Sequence, residues 1–389
     1  TVYGLGANAL NEAAILSIFK HKGRPLTDPL IVHVPSTAIA ETVVQVSDEA
    51  RPIFDTLTDK FWPGPLTLVL KARPDVPLKV SAGTGFVGVR SPAHAVAAAL
   101  LEAAQLPIAA PSANRFGHVS PTTAAHVLAD LGATPIAVLD AEGQTSAAAA
   151  AGGSPGPATC SVGIESTVVG VSEDGKTLTV FRRGGVSMQA IEEALAGAGV
   201  TGWAWQQSSA AAKSATAAAA SEQDSHDDAS AQVAPGQLLT HYAPDVSTYL
   251  LPAPPLGGAG DGLTDVQAAA LKRCVVLDFG GAYAVLKGHA GAYRDMSSSG
   301  DVKEAAQGLY AALRWTEEVA AADADICLAL VPVDAVAVDG DATAGVKAGG
   351  EMAGALADRL YRSGSGRRVP ATESTVASVA DALSGILGS

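Results

Sequence analysis

Residues 86–114 read FVGVRSPAHAVAAALLEAAQLPIAAPSAN. Phe86–Arg90 is a short, valine-rich apolar run with the character of a strand. Residues 93–104 are dominated by alanine and leucine and predict a helix. Residues 107–112 (PIAAPS) predict a second strand that runs out into a loop. Strand, helix and strand in direct succession point to an α/β domain.

The pattern extends in both directions. Upstream, Ala14, Ile15, Ile18 and Phe19 fall at helical spacing within 11–21, and 47–60 also reads as helix. PLIVHV (29–34) and PLTLVL (65–70) read as strands, the latter set off by the turn pair Pro63-Gly64. Downstream, Ser120-Pro121 suits a cap followed by proline at the first helical position, which predicts a helix over 121–131. Residues 136–140 (IAVLD) predict a strand. Residues 166–171 and 177–182 flank Glu173-Asp174-Gly175 as a hairpin, and 186–197 follows as a helix.

Two stretches interrupt this order. Residues 143–158 are rich in Gly, Ser, Ala and Pro and read as a loop, and 207–234 carry neither period and read as a linker. A second α/β unit follows, with strands at 274–279 and 326–332 and helices at 301–322 and 349–362. The expected division is a catalytic domain over 1–200, a linker or lid over 201–240 and a C-terminal domain over 241–389.

Composition narrows the function. The chain has 389 residues, and 39 acidic against 25 basic side chains leave it at −14. That field repels phosphate backbones and argues against a general nucleic-acid binder, while leaving room for a local cationic pocket. Cys160, Cys274 and Cys327 are too scattered for a disulfide framework or a zinc site, and fit a reducing compartment. No apolar run reaches the roughly 18 residues of a membrane span. The eight histidines fall at no metal-ligand spacing with Cys or carboxylates, and His94, His118 and His126 read as structural or surface residues.

Five clusters carry potential chemistry. In Lys20-His21-Lys22-Gly23-Arg24-Pro25, the cations either complement a helix C-terminus or project from a loop as Lys22 and Arg24 to neutralise a polyphosphate. In 109–114 (AAPSAN), Ser112 and Asn114 are either turn formers or ligand donors where a strand ends. Arg90, ending an apolar strand, is either a buried ion-pair member or a bidentate carboxylate clamp. Glu165-Ser166-Thr167 precedes a strand, and Arg182-Arg183 ends another. His241-Tyr242, after the linker, is a packing anchor or a lid.

TVYGLG, KGRPLTDPLIVHV, FWPGPLTLVL, VGVR, IAAPSAN, SPTT, GIESTVV, RRGG and HYAP follow one another in this order. Together they resemble the YrdC/Sua5 family of L-threonylcarbamoyladenylate synthases. LYAALRWTEE (309–318) and ALADRLYR (355–362) are similar to the C-terminal part of the Sua5 type. The resemblance implies a YrdC-like twisted mixed sheet with helices, and a smaller Rossmann-like α/β C-terminal domain. It also implies that the family's first strand precedes Thr1, so that the chain enters mid-domain.

The implied reaction joins L-threonine, bicarbonate and ATP, with Mg²⁺, into L-threonylcarbamoyladenylate and pyrophosphate. A downstream threonylcarbamoyl transferase would then complete the t6A modification of tRNA, with at most a weak tRNA contact by this chain. The family's KxR…SxN signature falls on Lys22, Arg24, Ser112 and Asn114. By the resemblance, Arg24, Asp28 (where the family usually has Asn), Ser112, Ser120, Arg182, His241 and Tyr242 would meet ATP. Thr1, His33, Arg90, Ala110 and Ser166 would meet L-threonine. No residue is marked as a metal ligand. Arg183 stands where the family has Pro, which leaves two adjacent arginines as candidates for the nucleotide. The implied compartment is the cytoplasm, with mitochondrion or plastid as alternatives. Two other functions compete: carbamoyl transfer on the same fold, and RNA binding in a basic groove.

Overall fold

The computed structural model describes residues 2–140, 162–207, 232–236, 238–258, 262–336 and 350–388. The chain forms two compact units. One comprises Thr1–Phe116 and Ser120–Leu238, and the other Gly117–Val119 and Leu239–Ser389.

The first unit is built on a mixed sheet. Its strands are β1 (Ala7–Asn8), β2 (Ile31–His33), β3 (Val44–Gln45), β4 (Leu66–Ala72), β5 (Phe86–Arg90), β6 (Ile108–Ala109), β7 (Thr167–Val171), β8 (Thr177–Arg182) and β9 (Ala204–Gln207). The order is β1-β6-β2-β5-β4-β7-β8-β9, with β3 paired to the far end of β4. Helices α1 (Glu12–Lys22), α2 (Thr37–Ala40), α3 (Arg51–Phe61), α4 (Ala95–Ala104), α5 (Ala124–Leu131) and α6 (Met188–Gly197) complete the described elements.

The two-residue period of the strands divides their side chains between two faces. Val32, Leu66, Leu68, Leu70, Val87, Val89, Val169 and Val171 share one core with Ile15, Ile18 and Phe19 of α1, Ile53, Phe54 and Leu57 of α3, and Ile191 and Leu195 of α6. An isolated helix as short as α3 is marginal in water, so the ~1.5–3 kcal/mol from each such buried side chain is what holds it. Alternation sends Ile31, His33, Thr67, Val69, Gly88, Arg90, Val168 and Gly170 to the opposite face. Ile31, Val69 and Val168 pack there with Phe181, Val233 and Ala234. Gly170 has no room for a side chain, because an added Cβ would stand 2.7 Å from the Phe181 ring.

Several elements differ from expectation. Helix α5 starts at Thr123, whose side chain accepts the His126 N–H at 3.1 Å, and not at Ser120-Pro121. The Pro121 carbonyl is instead engaged by the Tyr3 N–H at 3.1 Å, which keeps 120–122 out of the helix. Residues 136–140 alternate as a strand would, and Ile136 and Val138 pack on Ala113, Val127 and Leu131, but no ladder pairs them among the described residues. The stretch read as a linker holds ordered pieces of the first unit. Strand β9 pairs in parallel with β8, and Gln232 donates its N–H to the Thr27 carbonyl at 2.9 Å. Residues 143–158 and most of 207–231 lie outside the described residues.

The second unit carries a four-stranded parallel sheet of β10 (Ser247–Leu250), β11 (Cys274–Asp278), β12 (Ala292–Asp295) and β13 (Leu328–Val331), in the order β10-β13-β11-β12. Its longer helices are α7 (Asp265–Lys272), α8 (Val302–Ala322), α10 (Gly350–Ser363) and α11 (Val376–Gly388), with a short α9 (Val333–Val336). Helix α8 starts on Asp301, whose carboxylate accepts the N–H groups of Lys303 and Glu304. A mixed sheet in one unit and a parallel α/β sheet in the other match the expected fold class.

Candidate active site

The site begins where α1 stops. Asn11 caps its start, accepting the Ala14 N–H at 3.0 Å, and Gly23 ends it in the left-handed region at φ +64. Glycine tolerates that conformation without penalty, so the chain turns sharply after Lys22. Lys22 is therefore the last helical residue, not part of an exposed loop, and it is only 3 % exposed. Its Nζ donates to the carbonyls of Ser112 and Asn114, each at 2.5 Å. An ammonium has three N–H donors, so a third remains when the group is charged. Burial, reinforced by the neighbouring Arg24, lowers its pKa to about 7.

The same lysine fixes the 110–114 loop from one side. Ala110 donates to Ile31 O at 3.1 Å, Leu5 to Pro111 O at 2.8 Å, and Ala113 to Tyr3 O at 2.8 Å. Gly4 sits opposite Ser112, and a Cβ there would approach Ala110 Cβ to 3.3 Å. Ser112 and Asn114 are thus presented by a clamped backbone.

Arg24 is buried and held by the two residues that lead into β2. Its Nε donates to Asp28 O at 3.0 Å and its Nη2 to Pro29 O at 2.7 Å. Nη2 also stands 3.0 Å from Asp28 Oδ2 as an ion pair, outside hydrogen-bond geometry. Both Asp28 carboxylate oxygens are buried without a hydrogen-bond partner. Burial raises the Asp28 pKa, against the opposing charges of Arg24, Lys22 and Arg182. Three cations therefore act on one carboxylate.

Arg182 ends β8 and reaches the residue before β7. Its Nε donates to Ser166 O at 3.1 Å and its Nη2 to Ser166 Oγ at 3.1 Å. Ser166 Oγ also pairs with Thr67 Oγ1 of β4 at 2.7 Å. Arg183 is exposed, so of the two adjacent arginines it is Arg182 that the fold turns toward this cluster. Close packing of the two segments requires Gly184, where a Cβ would stand 2.3 Å from Glu165 O.

His33 and Arg90 end parallel neighbours β2 and β5 in register. Arg90 is buried and its Nε donates to Gly64 O at 2.8 Å. Gly64 N–H in turn donates to Ser91 O at 2.8 Å. The Trp62-Pro63-Gly64-Pro65 turn, which in sequence reads only as a rigid corner, is thus what orients Arg90. Its Trp62–Pro63 bond is cis, and the indole stacks edge-on to Phe54 and donates to Leu66 O. His33 Nδ1 is buried without a partner, and burial together with Arg90 lowers its pKa to about 3. The imidazole is therefore neutral at pH 7.

The remaining expected residues are distributed as follows. Ser120 is buried in the first unit, and Ala110 lies in the clamped loop. His241 and Tyr242 belong to the second unit, with ring centroids 3.9 Å apart; Tyr242 is buried at φ +59 beside Tyr310. Thr1 lies outside the described residues. Thr67 and Gly64 are contributors that sequence reading passed over. Thr67 shows as the one polar position in the apolar run PLTLVL (65–70), and that is its available signal.

The chain is similar to known proteins along much of its length. A family model described as Telomere recombination, covering Sua5, YciO and YrdC proteins, matches residues 1–150. A second, the C-terminal domain of threonylcarbamoyl-AMP synthase, matches 186–365. A threonylcarbamoyl-AMP synthase of Pyrococcus abyssi is 36 % identical over 255 residues, which are 65 % of this chain and 63 % of the relative. That of Bacillus subtilis is 36 % identical over 245 residues, 63 % of this chain and 59 % of the relative. The chain thus spans about three fifths of these relatives' length. The crystal structure of P. abyssi Sua5 complexed with L-threonine superposes with a TM-score of 0.65 at 29 % identity, covering 94 % of this chain and 88 % of that one. With both its N-terminal and C-terminal parts matched, the chain belongs to the Sua5/YrdC family.

Proposed function

We infer that this protein is an L-threonylcarbamoyladenylate synthase, a nucleotidyltransferase that makes threonylcarbamoyl-AMP and pyrophosphate from L-threonine, bicarbonate and ATP. The observation that carries the reading is the gathering of Lys22, Arg24 and Arg182 about one buried carboxylate, in a chain whose net charge is −14. Curated relatives carry the name of this enzyme, and a solved relative is complexed with L-threonine.

Chemically, both steps join anions or lone pairs to electrophiles and need no covalent enzyme intermediate. The threonine carboxylate pairs with Arg90, whose guanidinium the Gly64 carbonyl holds in place. Neutral His33 and the Ala110 backbone border the same substrate, and Ser166 presents its hydroxyl. The threonine amine attacks the bicarbonate carbon, and loss of water leaves a carbamate. A carbamate oxygen then attacks the α-phosphorus, and pyrophosphate departs. Lys22, Arg24 and Arg182 offset the charge on the phosphates, while Ser112, Asn114 and Ser120 orient the nucleotide. The Asp28 carboxylate, paired with Arg24 and facing two further cations, does not fit an Mg²⁺ ligand, and Mg²⁺ would enter on the nucleotide's own phosphates. The product, a mixed anhydride, is suited to a downstream transferase acting on tRNA. Among the described residues no helix is long and apolar enough to cross a membrane.

The test is pyrophosphate release by the purified chain. Release is expected to require ATP, L-threonine and bicarbonate together, and to fall to background when either co-substrate is omitted. Release with threonine but without bicarbonate would indicate direct aminoacyl adenylation and overturn the reading.

A further inference from the structure

Three donor side chains that no spacing in the sequence connects meet in the second unit. They are His118, Asp245 and Glu317 of α8, and their donor atoms lie within 4.8 Å of one another. His118 Nε2 stands 2.5 Å from Glu317 Oε1 and 3.9 Å from Asp245 Oδ2. We propose that these three residues form a binding site for a first-row divalent cation of the zinc class.

Four features support it. The donor set, one imidazole nitrogen and two carboxylates, is one that zinc and its neighbours accept. Bonds of ~2.0–2.2 Å place donors on one such ion roughly 3 Å apart, and the two separations here bracket that value. Two carboxylates face one imidazole, so even a protonated His118 leaves a net negative charge for a dication to neutralise. The burial is graded as an ion site requires. His118 and Glu317 have side chains 5 % and 17 % exposed, while Asp245 is 66 % exposed and opens the cluster to solvent for entry and for water ligands.

The donors are also held in place by the backbone. On either side of His118, Gly117 O accepts the Ala243 N–H at 2.9 Å and Val119 O accepts Arg314 Nη2 at 2.5 Å. Asp245 donates its N–H to Glu317 Oε1 at 2.6 Å, fixing the carboxylate with an outer hydrogen bond of the kind that orients metal ligands. An ion here would tie together three segments far apart in the chain.

The test uses the full chain, stripped with a chelator and titrated with Co²⁺, whose visible ligand-field bands report coordination. One equivalent is expected to bind, and Zn²⁺ is expected to displace it and to raise the thermal midpoint. His118→Ala and Glu317→Gln are each expected to lose at least roughly tenfold in affinity. The Glu317→Gln amide still accepts both hydrogen bonds, so this variant decides the matter if His118→Ala fails to fold. No Co²⁺ or Zn²⁺ binding by the wild-type chain, or undiminished binding by folded Glu317→Gln, would overturn the proposal and leave a hydrogen-bonded His–Glu pair.

Discussion

Arg24→Ala is expected to lower kcat/KM for ATP by about 10²–10³-fold, the usual cost of deleting one preorganised charge-stabilising donor. The same change removes the ion-pair partner of a buried carboxylate, Asp28, and leaves the carbonyls of Asp28 and Pro29 without their guanidinium. Stranding a buried charge costs about 3–5 kcal/mol, so the single variant should also melt earlier. The two effects separate in the double variant. Arg24→Ala with Asp28→Asn no longer strands a charge and should regain much of the thermal midpoint, while pyrophosphate release stays low. Turnover near wild type in either variant would refute the phosphate role of Arg24.

Arg90→Ala is expected to raise the threonine KM by about 10²-fold, in line with the 1.5–3 kcal/mol of a charged hydrogen bond, and to leave the ATP KM within a few-fold. The asymmetry follows from placement. Arg90 ends β5 beside His33, whereas the residues assigned to the phosphates gather around Asp28. A larger effect on the ATP KM than on the threonine KM would contradict the carboxylate clamp.

Much of this site was legible because its residues are local signals. Lys22 and Arg24 flank a helix-ending glycine, and Ser112 and Asn114 follow a strand of small residues. Period-two alternation also marks which side of β4 and β5 is apolar core. What the sequence does not disclose is pairing across long separations. That Lys22 Nζ holds the 112–114 backbone, that Gly64 O orients Arg90, and that Thr67 meets Ser166 are products of the sheet order. The same reason hides the His118, Asp245 and Glu317 cluster from any search by spacing. Ser120-Pro121 has the local chemistry of a helix start, and the Tyr3 pairing diverts it from α5. Strand β9 is hidden in the sequence because Trp203 and Trp205, whose rings meet edge to face, lie at the start of a stretch dominated by low-complexity sequence.

All of the functional reading depends on Lys22, Arg24, Arg182 and the 110–114 loop receiving a nucleoside triphosphate. A crystal structure of the chain with a non-hydrolysable ATP analogue and L-threonine tests this most directly. The account predicts phosphate oxygens within hydrogen-bond distance of Arg24 and Arg182, with Ser112 at the nucleotide and the threonine carboxylate on Arg90. An analogue bound elsewhere, with these side chains keeping only their present protein partners, would contradict it.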